Sequence, residues 1–150
     1  MGVFYRAQGR YGEAEPVYRE ALQVRREVLG PRHPDTLTTL NNLAALYNHQ
    51  GRYSAAEPLY LEALRVRREV LGPRDPQTLY SLNNLALLYH SQGRDDEAEP
   101  LLLEAMQGRR EVLGPRHPDT LASLNNLAFL YCRFRPIADS HSGALRTAFR

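Results

Sequence analysis

The chain has 150 residues, of which 43% are hydrophobic and 24% charged, and its formal net charge is +2. This balance is typical of a folded helical protein and excludes a disordered chain. No apolar run approaches the ~20 residues that a membrane-spanning helix needs, so we expect no membrane partner. The first residues contain no apolar segment of signal-peptide length, and we therefore expect a cytoplasmic protein.

All 19 basic residues are arginines, and they alternate with glutamates along the same segments. A nucleic-acid-binding domain usually has a larger basic excess that is concentrated on one face. We therefore expect no nucleic-acid partner, and an RNA-binding helical repeat is the most distant of the alternatives.

One short motif recurs through the chain at a fixed interval. The sequence Leu-Asn-Asn-Leu-Ala at 40–44 returns at 82–86 and again at 124–128, each time 42 residues later. Segments 33–74 and 75–116 are identical at about two-thirds of their positions. A fixed period of this length is the signature of a stacked repeat array, in which apolar faces are buried between neighbouring units.

Each unit is predicted to be a helix hairpin. Pro34 suits the first position of a helix, and apolar residues then recur at three- and four-residue steps until Gly51. Ser54 and Glu57 stand at capping-box spacing and predict the start of a second helix, which the next Gly-Pro pair ends.

The repeat period also sets the predicted boundaries. The predicted array covers residues 1–132. It consists of a partial hairpin (1–32), two full repeats (33–74 and 75–116) and a partial repeat (117–132), and a divergent tail (133–150) follows it. The tail either folds back over the last hairpin or is a poorly ordered remnant of a longer array.

The recurring residues stand in the order and spacing of a known packing signature, at Leu40, Leu43, Ala44, Tyr47, Gly51, Tyr53, Ala56, Tyr60 and Ala63. In this respect the chain resembles tetratricopeptide-repeat proteins of the 42-residue type, similar to kinesin light chains. The resemblance implies an all-α fold, a right-handed superhelical solenoid of antiparallel helix hairpins. It also implies that the first helices line a concave groove, which binds peptide segments or helices of partner proteins.

The same resemblance places the residues beside the first-helix packing stripe in the groove. They are Thr38, Asn41, Asn42, Ala45 and Asn48, then Tyr80, Asn83, Asn84, Leu87 and His90, then Ala122, Asn125, Asn126 and Phe129. An Asn side chain both donates and accepts, so it can pair with a ligand's backbone amide. We favour the first Asn of each pair as a ligand contact, whereas the second either contacts the ligand or bonds to neighbouring backbone. The apolar and aromatic members would select an apolar anchor.

Three arginine pairs, at 25–26, 67–68 and 109–110, recur near the ends of the second helices. Cations suit the negative pole of a helix, so we interpret the pairs as solvated helix-end residues. The alternative is a basic ladder that engages phosphate or an acidic partner. Gly108 stands where the other units have valine and predicts a local weakness of about 1 kcal/mol.

No catalytic or metal-binding constellation is recognisable in the sequence. Cys132 is the single cysteine, the histidines lack metal-ligand spacing, and there is no Gly-rich phosphate loop. We therefore expect no enzyme, no cofactor and no metal. The predicted first helices at 34–50 and 76–92 contain no Arg or Lys, which argues against a clamp for a ligand's carboxylate.

These features predict a protein–protein interaction module with a scaffold or adaptor role, which binds a peptide or helix in its groove. Two alternatives stay open. The chain is either a fragment of the sensor array of a larger signalling protein, with a nucleotide-binding switch or a protease-like effector, or a structural repeat that self-associates end to end.

Overall fold

The computed structural model describes residues 11–134, with side chains from 12 to 132. The helices in this part are α1 (Tyr11–Val28), α2 (Pro34–His49), α3 (Tyr53–Val70), α4 (Pro76–Ser91), α5 (Asp95–Leu113) and α6 (Pro118–Phe134). Residues 11–134 contain no strand, which confirms the predicted all-α class. We call α2, α4 and α6 the first helices and α1, α3 and α5 the second helices. Residues 1–10 and 135–150, including most of the predicted tail, lie outside the described residues.

The first helices begin at a proline, as the sequence predicts. The residue before the proline caps the helix by accepting a backbone N–H that has no partner inside the helix. His33 Nδ1 accepts from the N–H of Asp35 at 3.2 Å, and the carboxylate of Asp75 accepts from the N–H of Gln77 at 2.8 Å. The helix starts are therefore encoded locally.

The capping box predicted at Ser54 and Glu57 is wrong. Helix α3 begins one residue earlier, at Tyr53, and its N-cap residue, Arg52, makes no side-chain capping bond. Glu57 instead accepts a hydrogen bond from Arg94 in the next hairpin, at 2.9 Å. A carboxylate gains more from a guanidinium than from a neutral N–H, so the contact between hairpins replaces the local one.

Glycine is required at the two turns of each unit. Gly51 follows α2 with φ of 72°, and Gly72 follows α3 with φ of 91°. Residues with a Cβ rarely adopt such left-handed angles, which explains why both positions recur as glycine. The turns therefore confirm the helix ends that were predicted from sequence.

The core lies between the hairpins rather than around one centre. Leu40, Ala44, Ala56 and Ala63 are completely buried and belong to one cluster, which continues through α4 and α5 to Leu130 of α6. The alanines allow close approach of the helices that carry them. Each hairpin is thus stabilised by the apolar faces of its neighbours, as in other solenoids.

Gly108 marks a close approach of α5 to α4. A Cβ added at Gly108 would lie 2.5 Å from Cδ2 of Leu79, which is itself completely buried. The glycine therefore does more than weaken the helix, because it leaves the space that the leucine fills.

The packing order of the helices defines a concave side. Each helix packs mainly against the next in the chain, and α2 also contacts α4, as α4 contacts α6. The second helices approach one another less closely than the first helices do. The side formed by the first helices is therefore the shorter, inner side of the curved array.

Candidate functional site

A pocket of about 360 Å³ opens on the concave side between α2 and α4. It is lined by Ala45, Asn48, His49, Tyr60, Tyr80, Asn84 and Leu87. Five of these belong to the predicted groove set, so the fold brings them together from two successive first helices. His49 and Tyr60 were not predicted. Tyr60 belongs to the packing stripe of α3, and no pattern in the sequence distinguishes a stripe residue that also reaches the groove floor.

The pocket combines aromatic and aliphatic surface with two carboxamides. None of its lining residues is Asp, Glu, Arg or Lys. Tyr80 is 42% exposed, whereas Tyr60 is buried. Such a lining suits an apolar ligand group together with peptide N–H and C=O groups that the amides of Asn48 and Asn84 can reach.

The first Asn of each pair does not line this pocket. Asn41 and Asn83 are only 1% and 7% exposed. Asn83 Oδ1 accepts a hydrogen bond from Asn126 Nδ2 at 2.9 Å, whereas Asn41 Oδ1 accepts none within the described part of the chain. The second Asn, as Asn84, is the one that lines the pocket. The burial of Asn41 and Asn83 and the position of Asn84 favour the second Asn over the first, and a ligand contact by either stays a prediction.

The equivalent site between α4 and α6 is engaged internally. The buried His90 places its Nδ1 2.6 Å from Oδ1 of the buried Asp95, and the ring of Phe129 packs edge-on at 5.4 Å. Asn126 is already bonded to Asn83. The sequence gives no signal for the His90–Asp95 pair, since the preceding repeat has a tyrosine at the aspartate's position.

The remaining predicted groove residues lie on the first helices outside the pocket. Thr38 and Asn125 are exposed and Asn42 is partly exposed. The Thr38 hydroxyl donates to the carbonyl of Pro34 at 2.9 Å and accepts from Arg67 at 3.2 Å, so it is held in place at the groove edge.

The first arginine of each pair joins hairpins, so its interpretation as a solvated helix-end residue is wrong. Arg67 is 2% exposed and donates to Ser81 Oγ at 2.7 Å and to the carbonyl of Gln77 at 3.2 Å. Burial lowers the pKa of Arg67, yet an arginine stays protonated in a protein. Arg109 contacts Ser123 and the Asp119 carbonyl in the same way, and Arg25 contacts Thr39 and the Asp35 carbonyl.

The second arginine of each pair lies on the outer side. Arg26 pairs with Glu62 at 2.8 Å, and Arg68 pairs with Glu104 at 2.7 Å. These ion pairs link successive second helices. Because Arg26 and Arg68 are paired with carboxylates, they do not support the alternative of a basic ladder for phosphate.

A larger crevice, of about 820 Å³, lies between the second helices α1 and α3. Its floor includes Leu43 and Tyr47, but its walls include Arg19, Glu20, Arg26 and Glu27. A ligand there would remove charged groups from water, which is costly unless it supplies matched charges. We therefore regard the smaller, uncharged pocket as the better candidate.

Within residues 12–132, no three His, Cys, Asp or Glu side chains are grouped so that they could hold a metal ion. None of the helices in the described part is long and apolar enough to cross a bilayer.

A model of the tetratricopeptide-repeat family matches residues 1–69, 37–111 and 81–136. The overlapping matches cover most of the chain. The chain belongs to the tetratricopeptide-repeat family. Members of this family are generally protein-interaction modules, which supports the coarse prediction of a protein partner.

Solved structures confirm the likeness to kinesin-light-chain-like repeats. BtubC (BKLC) from P. vanneervenii is 28% identical over 88% of this chain and 52% of its own, with a TM-score of 0.76. A kinesin-light-chain-like protein of Podosopora anserina with nearly identical TPR-like repeats is 27% identical over 87% of this chain and 62% of its own, with a TM-score of 0.80. This tetratricopeptide-repeat chain thus spans 52% and 62% of the lengths of these two. A search of curated proteins finds no significant match.

Proposed function

We propose that this tetratricopeptide-repeat protein is a scaffold or adaptor that binds an uncharged peptide segment of a partner protein in the concave pocket between α2 and α4. The observation that supports this most directly is the meeting of Ala45, Asn48, Tyr80, Asn84 and Leu87 around one open, uncharged pocket.

The apolar part of the pocket provides affinity. Burial of one Leu-, Phe- or Met-sized side chain is worth about 1.5–3 kcal/mol. Tyr60, Tyr80 and Leu87 form the surface against which such an anchor side chain packs. The anchor therefore fixes the position of the segment along the array.

The carboxamides provide recognition of the main chain. Asn48 and Asn84 come from neighbouring first helices and flank the same pocket. Each offers donors and an acceptor, so together they can satisfy the N–H and C=O groups of a peptide whatever its side chains are. The segment's sequence would then be specified mainly at the anchor.

The lack of Asp, Glu, Arg and Lys in the pocket lining bears on the charge of the ligand. A carboxylate or ammonium placed between Tyr80 and Leu87 would lose water, and His49, which is exposed, is the one lining side chain besides the tyrosines that can carry a charge. The pocket therefore favours segments that are neutral around the anchor.

This proposal can be tested with peptides that are selected from a random display library for binding to the 150-residue chain. Their affinity is measured by fluorescence anisotropy for the wild type, Asn84→Ala, Leu87→Glu and Leu61→Glu. Loss of one hydrogen bond predicts an approximately fivefold weakening for Asn84→Ala. A buried charge predicts a loss of more than about tenfold for Leu87→Glu.

Leu61→Glu is the matched control, because Leu61 is 44% exposed on the second helix α3. It should bind the selected peptides like the wild type. If Leu87→Glu binds as tightly as the wild type, or if the selected peptides carry a charged anchor, the proposal is wrong.

A further inference from the structure

One position of the first helices carries side chains of very different size. It is held by Ala45 in α2, Leu87 in α4 and Phe129 in α6, which follow one another at the 42-residue period. Ala45 and Leu87 line the concave pocket from two successive helices. The earlier helix of each interface therefore carries alanine between α2 and α4, and leucine between α4 and α6.

Ala45 joins the pocket to the core. It is partly exposed, lines the pocket and packs against the same core cluster that contains the buried Tyr60. Protein cores are close-packed, so a longer side chain at position 45 could extend only into the open volume. The single carbon of the alanine side chain thus leaves this volume free.

Between α4 and α6 the equivalent positions carry larger side chains. Leu87 takes the place of Ala45, His90 that of Asn48, and Phe129 that of Leu87. The Phe129 ring lies edge-on against the buried His90, with 5.4 Å between the ring centroids. Two of the larger side chains therefore meet across this interface, whereas their counterparts, Asn48 and Leu87, border an open pocket of about 360 Å³.

Two other lining positions change in the opposite direction. Tyr60 and Tyr80 of the pocket correspond to the smaller Leu102 and Ala122. Their large rings narrow the pocket rather than open it, so they do not explain why it is open between α2 and α4. The explanation lies in the smaller side chains at positions 45, 48 and 87. Of these, Ala45 has the fewest side-chain atoms and packs against the core.

The size of residue 45 bears on the anchor that the pocket accepts. A leucine there would add an isopropyl group to the lining, and a single methylene group in an apolar pocket changes discrimination between ligands roughly 10–200-fold. An anchor side chain of Leu, Met or Phe size needs the volume that the isopropyl group would take. An anchor of Val or Ala size does not.

We propose that Ala45 determines the specificity of the concave pocket, because its small side chain admits a large apolar anchor that leucine at this position would exclude. The inference rests on the proposed function, since it concerns the same pocket and the same peptide segment. It adds to that function the residue that sets the size of the anchor.

The test uses the 150-residue chain and one library-selected peptide, whose anchor is the position at which alanine weakens binding most. The peptide is made with Phe, Leu, Val or Ala at this position, and fluorescence anisotropy measures the affinity of each form. The wild type should bind the Phe form at least about tenfold more tightly than the Ala form. Ala45→Leu should weaken the Phe form by about tenfold or more and the Ala form by less than about threefold.

Two further variants show whether size is the cause. Ala45→Ser adds a single atom and is the matched control, so it should keep the wild-type order of the four peptides. Ala45→Val should shift the order in the same direction as Ala45→Leu but less far. Leu87 shows that this position of a first helix accepts leucine, so Ala45→Leu should keep the wild-type circular dichroism and cooperative unfolding.

The Leu87→Glu variant separates this inference from the proposed function. If Leu87→Glu binds the peptide as tightly as the wild type, the pocket is not the binding site and both proposals are wrong. If Leu87→Glu loses binding but Ala45→Leu and Ala45→Val keep the wild-type order of the four peptides, only the role of Ala45 is wrong. An Ala45→Ser variant that loses the preference for a large anchor overturns that role as well, because size would then not be the cause.

Discussion

Asn126 donates its Nδ2 hydrogen to Asn83 Oδ1 over 2.9 Å and so ties α6 to α4. The equivalent residues one repeat earlier, Asn84 and Asn41, do not form this bond. Asn41 Oδ1 is buried without a donor from the described part of the chain, and Asn84 lines the concave pocket. The Asn pair thus forms a hydrogen bond between α4 and α6. Between α2 and α4 it does not, and the Asn84 amide lines the pocket instead.

This difference predicts opposite effects on stability at equivalent positions. Asn126→Ala leaves the buried Asn83 carbonyl without its donor and should lower the free energy of unfolding by about 1–3 kcal/mol. Asn84→Ala breaks no such bond and should change it by less than about 0.5 kcal/mol. Urea denaturation of both variants measures this. Asn125→Ala, on the exposed neighbour of Asn126, is the control and should resemble Asn84→Ala; equal losses at 84 and 126 would contradict the prediction.

The two arginines of one pair should differ in their contribution to stability. Arg67 is buried and bonds to Ser81 and to the Gln77 carbonyl, so Arg67→Ala should cost about 2–4 kcal/mol through lost hydrogen bonds and an unfilled space. Arg68 forms a partly exposed ion pair with Glu104, and Arg68→Ala should cost less than about 1 kcal/mol. The denaturation midpoints of the two variants measure this difference, and Arg67→Ala should have the lower one. A lower midpoint for Arg68→Ala would show that Arg67 is not a structural link between hairpins.

The lowered pKa of Glu15 predicts that the folded protein loses stability in acid. Burial acts to raise the pKa of Glu15, but hydrogen bonds from Arg52 and Tyr47 outweigh it and hold the pKa below the ordinary 4.5. The unfolded chain therefore takes up this proton first as the pH falls through 4.5, and the contribution of Glu15 to stability is lost below that value.

The unfolding free energies of the wild type and Glu15→Gln, measured from neutral pH to below 4.5, test this effect. Their difference should be largest at neutral pH and shrink in acid. In an Arg52→Gln background the shrinkage should be smaller, because the main favourable partner of the carboxylate is gone. A difference that is independent of pH would exclude Glu15 as the responsible group.

Gly108 and Gly12 should respond differently to alanine, although both lie in helices. Alanine is favoured over glycine within a helix by up to about 1 kcal/mol, and nothing lies within 4 Å of a Cβ added at Gly12. At Gly108 the added Cβ would lie 2.5 Å from Leu79, and overpacking costs about 1–3 kcal/mol. The midpoint temperature of thermal unfolding should therefore be higher for Gly12→Ala than for Gly108→Ala. A Gly108→Ala variant that is more stable than the wild type would contradict the packing that we describe.

Most of the fold follows from local sequence signals. Pro34 and Asp75 start helices, Gly51 and Gly72 end them, and the recurring Leu and Ala residues identify the faces that stack. These signals are readable because each depends on a residue type at a fixed distance along the chain.

The contacts between hairpins are less predictable. Glu57 and Arg67 were interpreted through their own helices, but their partners, Arg94 and Ser81, lie in the next hairpin. The orientation of the Asn pair was likewise not readable, since neighbouring positions on a helix diverge by a large angle and a small rotation decides which faces the groove.

The groove residues were placed by family resemblance, and their role as a binding site stays a proposal. The most direct test of that role is a chemical-shift map of the isotope-labelled 150-residue chain titrated with a library-selected peptide. We predict that the largest backbone amide shifts fall at Ala45, Asn48, Tyr80, Asn84 and Leu87. Shifts concentrated instead along the outer crevice, at Arg19, Gln23, Glu27 and Leu59, would contradict recognition through the concave pocket.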